Sequence, residues 1–319
     1  MLNFDKYGKM NVLIVMLLIF LVWNLVKPTR ETFTSSNNKK YVMSVVAIFK
    51  NEHEYMEEWL EHHVAQGFDH FYLYCNDPKK DNYPYFEKYK DKITLIDWVS
   101  AKNNGWFSIQ KQAYLDCVSK YADNTQFLAL LDLDEFMTPT SDDMTIRSYI
   151  ESLKSKWDTI KTFKIRRYNI GSGGHLYKPD GSLRDNYKTK EKKCSSYKTM
   201  ANTDYINKAI SFGVHDFAYI KKTGKIYNDH FHYKLRTEYP TACDDNYENE
   251  IPIVINHYYF KSYEEYMQRC KTWKNGGVNP IGYRKQCTAR FVVADPDKFK
   301  PTIKEISEIK EKIGFEEEK

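Results

Sequence analysis

The sequence predicts an α/β fold: one domain on a mainly parallel central sheet flanked by helices, standing behind an N-terminal membrane anchor. Three observations carry this. Apolar runs of strand length at 41–49, 68–75, 93–99 and 127–133 alternate with helical patterns at 51–66 and 109–120, the order expected of parallel strands joined by crossover helices. The first of these runs is almost continuously apolar, as a strand buried on both faces must be. An unbroken apolar stretch also lies near the N-terminus.

That stretch comes first in the chain. Lys6 and Lys9 precede the apolar run 12–23, which Asn24, Leu25 and Val26 continue and Lys27-Pro28 closes. As a helix, residues 12–26 would extend about 22 Å, short of the usual span of about 30 Å. Snorkelling of the flanking lysines allows it to cross a thin bilayer. Lys27-Pro28-Thr29-Arg30 offers no small-x-small cleavage pattern, so the segment reads as an uncleaved signal-anchor. The lysines before it favour a cytosolic N-terminus, a single-pass type II orientation. The predicted organisation is a short cytosolic N-terminus (1–11), the anchor (12–26), a polar stem (27–40), the α/β domain (41–301) and a charged amphipathic helix (302–319).

Within the domain, residues 51–66 place Trp59, Leu60 and Val64 at helical spacing. Residues 144–155 read as a further helix and 159–168 as a strand. Gly171-Ser172-Gly173-Gly174 reads as a turn or an acceptor-side loop, because it lacks the Gly-x-x-x-x-Gly-Lys pattern of a phosphate cradle. Residues 178–193 are polar and read as a mobile loop. Ser262 followed by Glu265 has the spacing of a capping box, so a helix is expected over 262–273.

The chemistry concentrates where strands end. The apolar run Phe127-Leu128-Ala129-Leu130-Leu131 meets Asp132-Leu133-Asp134-Glu135. If the strand continued, Asp132 and Asp134 would point the same way. Two carboxylates on one face need a cation between them, and hard oxygen donors suit Mg²⁺ or Mn²⁺. Such an ion suits diphosphate chemistry, because it neutralises charge on a leaving phosphate. Lys50-Asn51-Glu52 and Asn76-Asp77 fall at the ends of the first two strands. Ligands of parallel α/β sheets bind at that edge.

Four blocks, in order, give the chain a resemblance to glycosyltransferase family 92 and to family 2-type glycosyltransferases near it. They are residues 45–77 (Val45-Val46-Ala47-Ile48-Phe49-Lys50-Asn51-Glu52, then the Trp59–His63 helix segment and Gly67 to Asp77), residues 110–117, Asp132-Leu133-Asp134-Glu135-Phe136, and His257-Tyr258-Tyr259-Phe260-Lys261-Ser262-Tyr263-Glu264-Glu265-Tyr266. The resemblance implies a GT-A fold, a nucleotide-sugar donor, Mn²⁺ or Mg²⁺, and a glycan or glycoprotein acceptor. UDP-galactose, transferred with inversion, is the donor it implies. By position it assigns donor binding to Lys50, Asn51, Glu52, Asp77, Gln110, Asp132, Lys198 and Lys261, with Asp81 in reserve for Asp77. Metal binding is expected of Asp134 and Asp132, with His257 or His215 as a further ligand, since neutral imidazole suits Mn²⁺. The acceptor's proton would go to Asp216, Glu264 or Glu265; Glu135 stays open as a support behind the metal ligands, a core-facing residue or the base. His230-Phe231-His232 lacks a third ligand. Trp98, Trp106 and Trp273 could stack on sugar rings or simply pack. The loop Pro78-Lys79-Lys80-Asp81 departs from the small Ser-x-Asp turn common in the relatives, which bears on donor identity. The alternatives are a metal-dependent hydrolase or phosphotransferase, and an inactive glycan-binding protein.

Composition sets limits. Charged residues make up 29%, the apolar set 42%, and the formal net charge is +5, with lysine pairs scattered rather than striped. No nucleic-acid partner is expected. The six cysteines are compatible with luminal disulfides and have no zinc-ligand spacing.

Overall fold

The computed structural model describes residues 39–50, 53–77, 85–99, 106–208, 213–219, 225–227, 251–272 and 287–315. The anchor expected over 12–26 and residues 27–38 of the stem expected over 27–40 lie outside them, as do Asn51, Glu52, Asp81, His230, His232 and Trp273. Among the described residues, no helix is long and apolar enough to cross a membrane. Residues from Lys39 onward form one compact unit.

The strands are β1 (Tyr41–Phe49), β2 (His70–Cys75), β3 (Ile93–Asp97), β4 (Thr125–Leu130), β5 (Glu135–Pro139), β6 (Ile160–Asn169), β7 (Ser196–Asn202), β8 (Lys225–Tyr227) and β9 (Ile253–His257). They lie in the order β3-β2-β1-β4-β7-β6-β9-β5, with β8 beside β6. The sheet is mixed. β3, β2, β1 and β4 are parallel. β7 is antiparallel to both β4 and β6, and β5 to β9. β6 is parallel to β8 and β9, so the expectation of a mainly parallel sheet holds for the N-terminal strands, while the C-terminal half mixes both directions.

The helices used below are α1 (His53–Ala65), α2 (Tyr85–Lys88), α3 (Trp106–Tyr121), α4 (Ile146–Ser152), α5 (Leu183–Asn186), α6 (Tyr263–Thr272), α7 (Cys287–Ala294) and α8 (Ile303–Lys312). Alternation along β1 divides the core. Met43, Val45, Ala47 and Phe49 pack with Met56, Trp59 and Leu60 of α1. Val46 and Ile48 pack with Tyr114, Cys117 and Val118 of α3. Each fully buried side chain of this size contributes about 1.5–3 kcal/mol. The α1–β2 connection closes through Gly67, at φ 90°. Its N–H donates to Val64 O and that of Phe68 to His63 O, the paired bonds of a Schellman C-cap.

A smaller cluster under α6, α7 and α8 holds Phe260, Tyr263, Met267, Phe291 and Ile309, and a Cys270–Cys287 disulfide joins α6 to α7. Cys194 is disulfide-bonded too, while Cys75 and Cys117 are buried thiols that form no disulfide. Residues 178–193 do not form a loose loop. They contain α5, and Leu183 and Tyr187 are buried, because the Leu183 N–H and the Arg184 side chain both bond to the Glu58 carboxylate on α1.

Candidate active site

β4 ends at Leu130, before the acidic residues. Asp132 and Asp134 therefore stand in a turn, not on one strand face. Glu135 builds that turn: its N–H donates to Asp132 O at 3.1 Å, and its side-chain Oε2 accepts from Asp132 N–H at 3.0 Å. The chain then reverses into β5. The turn sits where β1, β2 and β4 also end, so Lys50, Asp77 and Asp132 share one sheet edge.

Asp132 is held by three groups. Its Oδ2 accepts from Lys198 Nζ at 2.7 Å, and its Oδ1 from Gln110 Nε2 at 2.8 Å and from Tyr114 Oη at 3.4 Å. Burial alone would raise its pKa, but the Lys198 ammonium outweighs that and the net shift is downward. Lys198 has no solvent exposure and also reaches Glu135 Oε2, at 3.3 Å. Glu135, itself fully buried, pairs through Oε1 with Arg167 at 2.7 Å. Burial works against the charge of Lys198, yet Asp132 and Glu135 hold its pKa up.

Asp134 is buried on the other side of the turn. Its backbone oxygen accepts from Tyr258 N–H, which ties the turn to the end of β9. His257 lies directly across from Glu135 in the β5–β9 pair and beside Asn169 in the β6–β9 pair. Its Nε2 stands 3.4 Å from Asp134 Oδ2. Its Nδ1 lies 2.8 Å from Asn169 Oδ1, and the Asn169 amide nitrogen donates to Glu191. The Asn169 oxygen therefore faces Nδ1 as an acceptor and holds a proton there, leaving Nε2 to face Asp134. Arg269 on α6 also bonds to Asp134 Oδ2. Burial opposes ionisation of Asp134, but His257 and Arg269 draw its pKa well below the ordinary carboxylate range.

His215 belongs to the same electrostatic neighbourhood. Burial, then the Lys198 and Arg167 charges, push its pKa down to about 3, and Asp132 and His257 are among its charged neighbours. It is neutral at physiological pH. Lys261 has φ 54°, a left-handed conformation that is uncommon for a long side chain. Its ammonium lies 4.4 Å over the Tyr55 ring and acts on both Asp134 and Glu265.

The three carboxylates proposed for proton transfer have different surroundings. Glu265 is the N3 residue of α6, and the expected capping box with Ser262 is present. It also accepts from Tyr55 Oη at 2.5 Å and Tyr187 Oη at 2.8 Å, so its oxygens hold α1, α5 and α6 together. Glu264 pairs with Lys312 of α8 at 2.7 Å. Asp216 accepts from its neighbour Phe217 N–H and from Tyr219 Oη at 2.7 Å; burial pushes its pKa up. Asp77 is buried after β2, and Lys50 is exposed after β1. Trp98 donates to Ile109 O at 3.4 Å and packs edge-on to Tyr74.

Glu265 yields a pH prediction. Burial would raise its pKa, but the bonds from Tyr55 and Ser262, the Lys261 charge and Tyr187 lower it on balance from 4.5. Because the folded value is depressed, its stabilisation is present above pH 4.5 and is lost as pH falls through the folded value. Glu265→Gln is expected to cost about 2 kcal/mol at pH 7 and progressively less in acid. Urea unfolding of both proteins from pH 7 to pH 3 measures this; parallel pH curves would contradict it.

Arg167, Arg269, Tyr114 and Asn169 were not among the residues singled out from sequence. Arg167 had a local signal, lying at the end of a predicted strand. Arg269 had none.

Fold and site define an α/β protein with an acid–base centre beyond the carboxyl ends of parallel strands, where such proteins bind phosphorylated and nucleotide ligands. The chain belongs to glycosyltransferase family 92, whose family model matches residues 39–276. Curated relatives carry the same family name. One of Ricinus communis is 19% identical over 238 residues, covering 72% of this chain and 38% of that protein. One of Oryza sativa is 19% identical over 238 residues, covering 72% and 35%. One of Arabidopsis thaliana is 19% identical over 188 residues, covering 56% and 32%. The chain thus spans less than two fifths of the length of these relatives.

Proposed function

We propose that the protein is a GT-A glycosyltransferase that moves a sugar from a nucleotide diphosphate donor to a glycan hydroxyl with the help of a divalent cation. Family membership supports the reaction class. The observation that bears on the metal is the approach of Asp134 Oδ2 and His257 Nε2 to 3.4 Å, a carboxylate oxygen and an imidazole nitrogen that can both serve as ligands to one ion. The Asn169 bond behind His257 is the support that metal-ligating histidines ordinarily have.

Among the described residues, no group of three or more His, Cys, Asp or Glu side chains could hold an ion alone. A sparse set fits Mg²⁺ or Mn²⁺, which are held by one or two protein ligands together with substrate phosphates rather than by a protein cage. Asp134 and His257 would hold the ion, with His215 and Asp132 beside it. Its contribution would be charge neutralisation on the departing nucleoside diphosphate. Asp132, fixed by Lys198 and Gln110, has its side chain 32% exposed and would bond to donor hydroxyls, as would Asp77. Lys261 would face the diphosphate. Asp216, with its pKa raised by burial, would take the acceptor's proton; Glu264 and Glu265 are committed to Lys312 and to the α6 capping network. Galactose from UDP-galactose, with inversion, is the donor chemistry the family resemblance favours.

We place the protein in a membrane facing an ER- or Golgi-like lumen, anchored through residues 12–26. The Cys270–Cys287 disulfide supports an oxidising compartment. The test is turnover of a nucleotide-sugar panel by the full chain with Mn²⁺, beside Asp134→Ala. Transfer or hydrolysis of one donor, abolished in the variant, is expected. No turnover together with no nucleotide binding would favour the inactive glycan-binding alternative.

A further inference from the structure

Asp134 Oδ2 faces His257 Nε2, and the same oxygen is bonded by Arg269 Nη2. The other end of the guanidinium is anchored elsewhere. Nη1 donates to Tyr259 O at 2.9 Å, and the guanidinium lies 4.9 Å over the Tyr259 ring. Arg269 immediately precedes Cys270, whose disulfide to Cys287 ties the last turns of α6 to α7. The Arg269 side chain is 29% exposed, whereas that of Asp134 is 5% exposed. One end of the guanidinium is therefore fixed on backbone, and the other covers a buried carboxylate from the solvent side.

Two cations cannot share that oxygen without repelling each other. A guanidinium already there supplies the positive charge a buried carboxylate needs and must leave if an ion is to use the same lone pair. Once displaced, the guanidinium can turn to phosphate oxygens, which its planar fork of N–H groups matches.

We propose that Arg269 is a latch on Asp134: it occupies the metal-facing oxygen in the nucleotide-free protein and exchanges that oxygen for the donor's diphosphate when the divalent cation binds. This rests on the metal-dependent reading above and adds a regulation to it. Metal alone is held weakly because it must displace Arg269 from the Asp134 oxygen it would use. Metal with nucleoside diphosphate is held well because the diphosphate receives the guanidinium. Arg269 is thus a positioning residue that makes metal and nucleotide bind together.

The experiment is Mn²⁺ titration of the full chain, followed by the electron paramagnetic resonance signal of free Mn²⁺, without and with UDP. Wild type, Arg269→Gln and Arg269→Lys are compared. Without UDP, Arg269→Gln is expected to bind Mn²⁺ about tenfold more tightly than wild type, the loss of one competing charge-assisted bond. UDP should tighten Mn²⁺ binding markedly in wild type and far less in the variant. Arg269→Lys keeps the charge but cannot span Tyr259 O and Asp134 together, so an intermediate Mn²⁺ affinity is expected; it carries the test if the Gln variant fails to fold. Mn²⁺ binding that is unchanged or weaker in the variants would overturn the latch and leave the metal reading standing. Binding of Mn²⁺ by none of the three proteins, with or without UDP, would overturn both.

Discussion

Asp134→Asn is expected to lower sugar transfer by about three orders of magnitude while the protein stays folded. The substitution keeps the shape of the side chain and removes the charge that faces both His257 and Arg269. Losing a preorganised group that acts on charge developing in the transition state costs about 10²–10³-fold, and weaker metal retention adds to that. The loss should appear in kcat as well as in kcat/KM, because the missing interaction grows as the diphosphate leaves. Steady-state kinetics at saturating Mn²⁺ measure it, with thermal unfolding as the control for structure. Activity within tenfold of wild type would remove Asp134 from the metal site.

The second large effect concerns stability. Lys198→Met is expected to destabilise the protein by about 3–5 kcal/mol, the cost of removing one partner from a buried ion pair. Lys198 is fully buried and holds both Asp132 and Glu135. Without it, the close counter-charge left to Glu135 among the described residues is Arg167. Equilibrium urea unfolding gives the magnitude. A double-mutant cycle with Glu135→Gln should show coupling on the order of 1 kcal/mol or more, because residues in one ion network do not act independently. Additive effects would mean that Lys198 stabilises the turn through packing alone.

The two predictions bear on different halves of the site. Asp132 is fixed by Lys198 and Gln110, and Asp134 is paired with an imidazole and a guanidinium. Among the described residues, Asp132, Asp134 and Glu135 stand against Lys198, Arg167 and Arg269. A dication arriving alone upsets that balance, whereas a dication arriving with a diphosphate does so far less.

Much of this was legible in the residue order. β1, β2 and β4 follow from their apolar runs, α1 and α3 from their periodicity, and the α6 cap from Ser262 and Glu265. These are short-range properties, carried by side chains a few residues apart. Because parallel strands end on one edge, Lys50, Asp77 and Asp132 could be placed together without any contact being known. The turn at 132–135 was harder to see. An apolar run followed by acids reads as a continuing strand, and only the paired bonds between Asp132 and Glu135 end it early. Residues 178–193 were misleading for a related reason: their polarity conceals Leu183 and Tyr187, whose burial depends on Glu58 and Glu265 elsewhere in the chain.

By itself, then, the sequence determined the strand–helix alternation, the edge at which chemistry collects, the acidic turn and the family to which the chain belongs. Tertiary structure decided which charges meet. Arg269 reaches Asp134 across 135 residues and Tyr55 reaches Glu265 across 210. Nothing local distinguishes Arg269 from other surface arginines, or Glu265 as a structural carboxylate from Glu265 as a proton acceptor. The energy of an ion pair depends on distance and on exclusion of water, and both are set only when distant segments pack.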